Sequence, residues 1–429
     1  MDKRTRLPQG CFSGRKLLIL GASTVEIPLV ERARELGCHT IVTDSNVDWD
    51  ISPAKYAADE AWDVSWSDLD ALESLCRRNG IEGVLAGYSE VRVDNLIALC
   101  GRLGLPCYCT KDQLEITRSK VRFKEACRAY GVPVVREFDG VVGDSDFPVI
   151  VKPVDRGGSM GISVARNQEE LGKAVDYARE TSLTGEVIVE QYIEDRIKID
   201  ALYVIQDGRI VLMGVCDTVD AASNGGKRVV QSGWTFPSKH YASYVEQIDP
   251  FVRGMIGGLG LRWGFVFFSG FALEGGFAFF EAGYRLSGGE SFLYYDAAGK
   301  GNVFDLYIAQ ALGSELGAKI AFGEPSDLKC ASVNYYAKPG IVSEIEGVEE
   351  MKRSMPECVL ALRHGRSGQE CFGGAAILPK MAMIHFVSKS SEVLRRCVGV
   401  ANRTVRVVSA DGEDLIYDRP DASRFTWID

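Results

Sequence analysis

Val149-Ile-Val-Lys-Pro-Val-Asp-Arg-Gly-Gly-Ser-Met-Gly-Ile-Ser-Val164 is the stretch on which the reading of this chain turns. Three β-favouring apolar residues lead into Lys152 and Pro153, a glycine-rich turn follows, and Ile162-Ser163-Val164 alternates again. This predicts a strand, a loop and a returning strand, with a lysine at the base of the loop. Glycines let backbone N–H groups close around an anion, and a nearby ammonium adds charge to that cradle. Nucleotide phosphates are the expected guest. No Gly-Lys-Ser/Thr opens a helix after the loop, so it is not a Walker A motif. A strand pattern follows Gly161, so it is not a Rossmann fingerprint either. An ordinary hairpin with a mobile glycine loop remains the plainer alternative.

The chain of 429 residues implies about two to four domains. With 46% hydrophobic and 25% charged residues it has the composition of a globular protein. A net charge of −10 argues against a nucleic-acid partner. The twelve cysteines lack metal-like pairing, and the closest two, Cys107 and Cys109, lie too near each other for a zinc knuckle. They are expected to be buried thiols of a reducing cytoplasm. The four histidines show no zinc-site spacing. Met1 to Gly14 is polar and basic without the apolar run of a signal peptide, and is expected to be a flexible tail. No window of about 18 uninterrupted apolar residues is present, so no membrane partner is expected.

Lys16 to Leu20 reads as a buried strand, Val25 to Leu36 as a helix capped by Gly37, and Thr40 to Thr43 as the next strand. Further such units predict a doubly wound α/β domain over 15–115. Ser119 to Tyr130 reads as a helix, Gln168 to Glu180 as another, and Glu186 to Ile193 as a strand. Asp207-Gly208 marks a hairpin turn between Lys198–Gln206 and Arg209–Val215. Val219 to Lys239 lacks periodicity and reads as a long functional loop. Its Trp234 and Phe236 would line an acceptor pocket or belong to the core. Two strands flank Glu274-Gly-Gly276, and from about residue 326 short strands and a helix predict a separate small α+β domain.

Together these segments resemble the ATP-grasp superfamily, and within it the carboxylate–amine ligases of the L-amino acid ligase branch. The likeness rests on Lys120 in its helix, Lys152 with Gly157 to Gly161, Glu190-Gln-Tyr-Ile193, and the run Phe279-Phe-Glu-Ala-Gly-Tyr-Arg-Leu-Ser-Gly-Gly289. It covers roughly residues 15 to 325, with an ATP-grasp domain of two α+β subdomains over 116–325 and its lid at about 120–190. The resemblance implies ATP and Mg2+ as ligands. Lys120 and Lys152 would neutralise the α- and β-phosphates, and the N–H groups of Gly157, Gly158, Ser159, Met160 and Gly161 would cover the γ-phosphate. Glu190 would accept from the adenine amino group, with main-chain groups of Gln191, Tyr192 and Ile193 beside it. Glu281 would hold metal, and Arg285 a phosphoryl group or substrate carboxylate. The implied reaction joins a small carboxylate to an amine through an acyl phosphate, in a possible homodimer.

The chain departs from the family at the metal site. The family has a carboxylate twelve residues before the second one, and an Asn two residues after it. Here those positions hold Ser269 and Gly283. A three-residue turn at Glu274-Gly-Gly276 would set Ser269 opposite Glu281 on one face. Asp217, Asp220 or Glu290 are candidate substitutes, and no acid aligns cleanly as ribose ligand near Asp195. Three readings stay open: an active ligase with a reduced metal site, a relative that binds nucleotide as a sensor or partner subunit, and formyl or carboxyphosphate chemistry as in the purine branch.

Overall fold

A computed structural model describes residues 4–156, 160–194, 196–220, 231–323, 327–372 and 378–427. The chain begins with four parallel strands in the order Glu60–Trp62, His39–Thr43, Lys16–Leu20, Gly83–Leu85. Leu17 to Leu20 are fully buried, as an unbroken apolar run in a parallel sheet requires. The helix Leu69–Asn79 starts at Asp68, whose side chain accepts from the Ala71 amide, and stops at Gly80 in the left-handed conformation.

The lid is a three-stranded antiparallel sheet, Ser163–Ala165, Val149–Pro153 and Val187–Gln191, backed by the helix Gln168–Thr181. It encloses a small core of its own, centred on Val149, Val151, Ala165, Ala174 and Ala178. The chain enters it through Pro133–Val135, which is fastened to the large sheet: Phe279 N–H donates to Pro133 O at 2.9 Å and Val135 N–H to Phe279 O at 3.0 Å.

The large sheet has eight antiparallel strands in the order Gly276–Gly283, Trp263–Leu273, Ile197–Gln206, Arg209–Asp220, Gln231–Phe236, Lys329–Tyr336, Lys380–Ser388, Cys358–Arg363. The C-terminal strands therefore do not stand apart as expected. They extend the same sheet, through Gly233↔Val333 to Phe236↔Cys330, while keeping a separate apolar core around Tyr335, Met381, Leu394 and Val398.

Two expectations are corrected. Residues 231–236 form a strand, and Trp234 and Phe236 are 2% and 0% exposed, so both belong to the core and not to an acceptor pocket. Residues 221–230 of the expected loop lie outside the described residues. The first residues are not loose from Arg4 onward. Leu7 and Phe12 are buried, and Asp305 accepts from the Leu7 amide at 2.6 Å while binding Arg32 through both oxygens. An apolar pair and a buried carboxylate give this segment a fixed place.

Candidate functional site

The site is built on one face of the large sheet. Ser269 pairs in register with Asp200 on one side and Glu281 on the other, and its hydroxyl donates to Asp200 Oδ1 at 2.5 Å. Three neighbouring strands thus set Asp200, Ser269 and Glu281 in a row, and strand periodicity puts Lys198 on the same face. Burial alone would lower the Lys198 ammonium, yet it is held above its usual range because Asp200, Glu281 and Asp220 surround it. Asp200 and Lys198 were missed in the sequence. The alternation Ile197-Lys198-Ile199-Asp200 was the available signal.

A bulge after Ser269 frees Phe280 from the ladder. Its ring lies 5.1 Å from Lys152 Nζ of the lid and 5.8 Å from Lys198 Nζ of the sheet. Both ammonium groups stand over this one ring, a contact suited to cations. Lys120 joins them. Its Nζ donates to Arg156 O at 2.8 Å, at the base of the glycine loop. Burial depresses its ammonium, opposed by Glu281 and reinforced by Lys152.

Glu190 does not offer its carboxylate to an adenine. The group is 1% exposed and clamped between two lysines, Lys152 at 2.6 Å and the fully buried Lys124. Burial raises its carboxyl, but Lys152 and Lys124 together pull it below its usual range. Two ammonium charges hold a carboxylate far more strongly than one neutral amino group could. Of the main-chain groups beside it, Gln191 N–H is taken by Arg136 O and Tyr192 N–H by Pro148 O. Among the described residues the Ile193 amide has no partner.

Gly157, Gly158 and Ser159 lie outside the described residues, as does Asp195. Met160 is 37% exposed. Gly161 has φ +72°, and a Cβ there would stand 2.5 Å from Pro153 Cγ, so the turn demands glycine. Arg285 is not a surface ion pair. Its Nε donates to Glu90 Oε1 at 2.5 Å, its Nη1 to Leu286 O at 3.0 Å, and its guanidinium lies 5.2 Å from the centre of the Phe267 ring.

The same Phe267 explains the missing Asn. It pairs with Gly283, and a Cβ on that glycine would fall 2.4 Å from the ring. The space a metal-binding side chain would need is filled. Of the candidate substitutes, Asp217 faces the other way and is bound by Ser238 Oγ at 2.5 Å, while Glu290 sits beside Tyr88 and Lys380. Among the described residues no three His, Cys, Asp or Glu side chains form a metal cluster. Glu281 and Asp200 still fit one magnesium ion, which takes one or two carboxylates and completes its shell with substrate phosphate and water.

A family model described as the D-ala D-ala ligase C-terminus matches residues 134–217. A formate-dependent phosphoribosylglycinamide formyltransferase from Francisella tularensis is 26% identical over 58% of this chain and 66% of its own length. The chain spans about half the length of several other curated relatives, among them a biotin carboxylase from Bacillus subtilis. Among solved structures, the biotin carboxylase domain of the Hydrogenobacter thermophilus 2-oxoglutarate carboxylase, in complex with magnesium ADP and bicarbonate, superposes with a TM-score of 0.73 at 18% identity. It covers 92% of this chain and 90% of that one. The L-amino acid ligase of Bacillus licheniformis gives 0.72 at 16% identity, with 92% and 99% covered. No helix among the described residues is long and apolar enough to cross a membrane.

Proposed function

We propose that the chain is an ATP-grasp enzyme, an ATP-dependent ligase that phosphorylates a small carboxylate and passes the acyl group to an amine, a reading supported by the matched segment 134–217 and by the shared fold. One observation carries the reading: Lys120, Lys152 and Lys198 converge with Glu281 where the lid faces the sheet. A cationic centre with one metal-competent carboxylate row is what a polyphosphate requires.

In this reading Lys120 and Lys152 lie along the α- and β-phosphates, and the Gly157–Gly161 amides cover the γ-phosphate. The Ile193 amide receives the adenine. The Glu190 carboxylate instead keeps Lys152 aimed. Glu281 and Asp200 hold magnesium, which when bound supplies positive charge across the phosphates. Arg285, fixed by Glu90 and the Phe267 ring, grips the phosphoryl group or the acid as it is activated. Little covalent chemistry falls to the protein, so positioning and charge neutralisation supply the rate. A cytoplasmic homodimer belongs to the same reading, in keeping with twelve free thiols.

A second reading, formyl or carboxyphosphate chemistry, is favoured by the formate of one relative and the bicarbonate bound in another. The deciding experiment incubates the protein with ATP, magnesium and pools of amines and small acids, formate and bicarbonate included, and follows ADP and phosphate. Amine-dependent release supports the ligase; release with formate or bicarbonate alone supports the second reading. Nucleotide binding without turnover across the pools would point to a sensor.

A further inference from the structure

Between loop 285–290, loop 87–90 and the outer half of the large sheet lies a group of buried polar side chains that the nucleotide site does not use. Glu290 is fully buried, and among the described residues its carboxylate meets no hydrogen-bonding group but the Tyr88 hydroxyl. Its backbone is held at φ +52°, a left-handed conformation uncommon for a residue with a side chain. The Tyr88 hydroxyl facing it has no other partner. Further out, Trp234, Ser332 and His385 form one row across three strands, with the two rings 5.0 Å apart. The indole N–H and the serine hydroxyl lack partners as well, and the imidazole meets only the Gly289 backbone.

Each unmet buried polar group costs about 1–3 kcal/mol, and native interiors hold only a few per hundred residues. So many in one place mark a seat for something that arrives. Its position is informative. Leu286 N–H donates to Gly87 O at 2.9 Å and Arg285 binds Glu90, so Glu290 and Tyr88 lie between the same two loops as Arg285. A Cβ on Gly288 would meet nothing within 4 Å, so this loop borders open space.

We propose that Glu290 and Tyr88 form the seat of a primary amine substrate, and that Glu290 takes the proton this ammonium must lose before it attacks. The inference rests on the ligase reading. The N–H bond breaks as an O–H bond forms on Glu290, and the freed lone pair attacks the acyl carbon. The C–N bond forms while the carbon–oxygen bond to phosphate breaks. Phosphate leaves with that electron pair and receives the second amine proton. The surroundings suit the role. Burial holds the empty Glu290 carboxyl well above its usual range, with Tyr88 and Lys380 opposing and Glu26 adding to the rise. His364 and His385 are neutral, pushed down to about 3 by burial, and Lys380 is lowered to about 8. An entering ammonium would therefore ionise Glu290 and release a proton.

The test uses the full chain and ethylammonium chloride, with tetraethylammonium chloride as control. Calorimetry near pH 7 in two buffers of different ionisation heat should show saturable ethylammonium binding with proton release, and none for the control. Glu290→Gln should weaken binding about tenfold or more, the loss expected for a charged hydrogen-bonding partner. No saturable binding, no proton release, or undiminished binding to the variant would overturn the proposal. The proton count needs only the wild type, so it decides even where the variant does not fold. A parallel assay with ATP, magnesium, the acid pool and hydroxylamine (a neutral nucleophile near pH 7) separates the two readings. Wild type should form hydroxamate, and Glu290→Gln should lower amine-dependent turnover about 100-fold more than hydroxamate formation, as for loss of a general base. Equal loss of both activities would remove the proton-taking role. Absence of hydroxamate alongside intact ethylammonium binding would remove the ligase reading and leave the amine seat standing.

Discussion

Glu190 was readable as an acid in a hinge strand, but its role was not, because Lys124 enters from a helix 66 positions away in sequence. Removing its charge leaves Lys152 without its carboxylate and Lys124 with Glu137 alone at 3.4 Å, so Glu190→Gln should cost about 3–5 kcal/mol of stability in urea unfolding. Its folded-state carboxyl lies below the unfolded value of 4.5. The stabilisation is therefore complete above that value and is lost as pH falls through the lower folded one. Lys152→Ala should remove ATP binding in calorimetry while thermal unfolding still reports a folded chain. Nucleotide affinity unchanged in that variant would displace the site from the lid.

At the scale of elements, strand periodicity was the most legible signal. The Ser269–Glu281 pairing expected from a three-residue turn is observed, but Leu273 pairs with Gly276 across a two-residue turn and the bulge after Ser269 supplies the missing step. Asp200 was harder to find, since nothing local in Ile197–Gln206 says which strand lies beside it. The strand Gln231–Phe236 carries a glycine and two small polar residues in six positions, and only its neighbours make it a strand. The register also predicts an outcome. Ser269→Asp should add a third carboxylate to the row and tighten Mn2+ binding in the presence of ADP, read by electron paramagnetic resonance. An unchanged Mn2+ affinity would argue against this row as the metal seat. Gly161→Ala, strained by both φ and contact, should weaken nucleotide binding through a displaced hairpin, with Met160→Ala as the milder comparison.

Across the whole molecule, the domain-like pieces foreseen from composition are joined more tightly than their sequences imply. Arg4 to Phe12 bridges the N-terminal sheet and the helix Val303–Ala311, and the C-terminal strands complete the large sheet. Such joins depend on contacts far apart in sequence, which periodicity does not report. Acid should expose the C-terminal part first. His364 and His385 stay neutral down to about 3 in the folded chain, against 6.5 when unfolded. Stability is then full above 6.5 and falls by up to about 1.4 kcal/mol per pH unit for each histidine as pH drops toward 3. Urea midpoints measured from neutral pH downward check this, and a flat profile between 6.5 and 5 would contradict it.

The two hydrogen bonds that fasten Pro133 and Val135 to Phe279 have a mechanical meaning. Phe279 is two residues from Glu281, so the lid is anchored beside the very carboxylate its lysine must work with. The lysine and the carboxylate therefore share one frame, so the aim of Lys152 is set by the chain itself and not by the grip of a nucleotide.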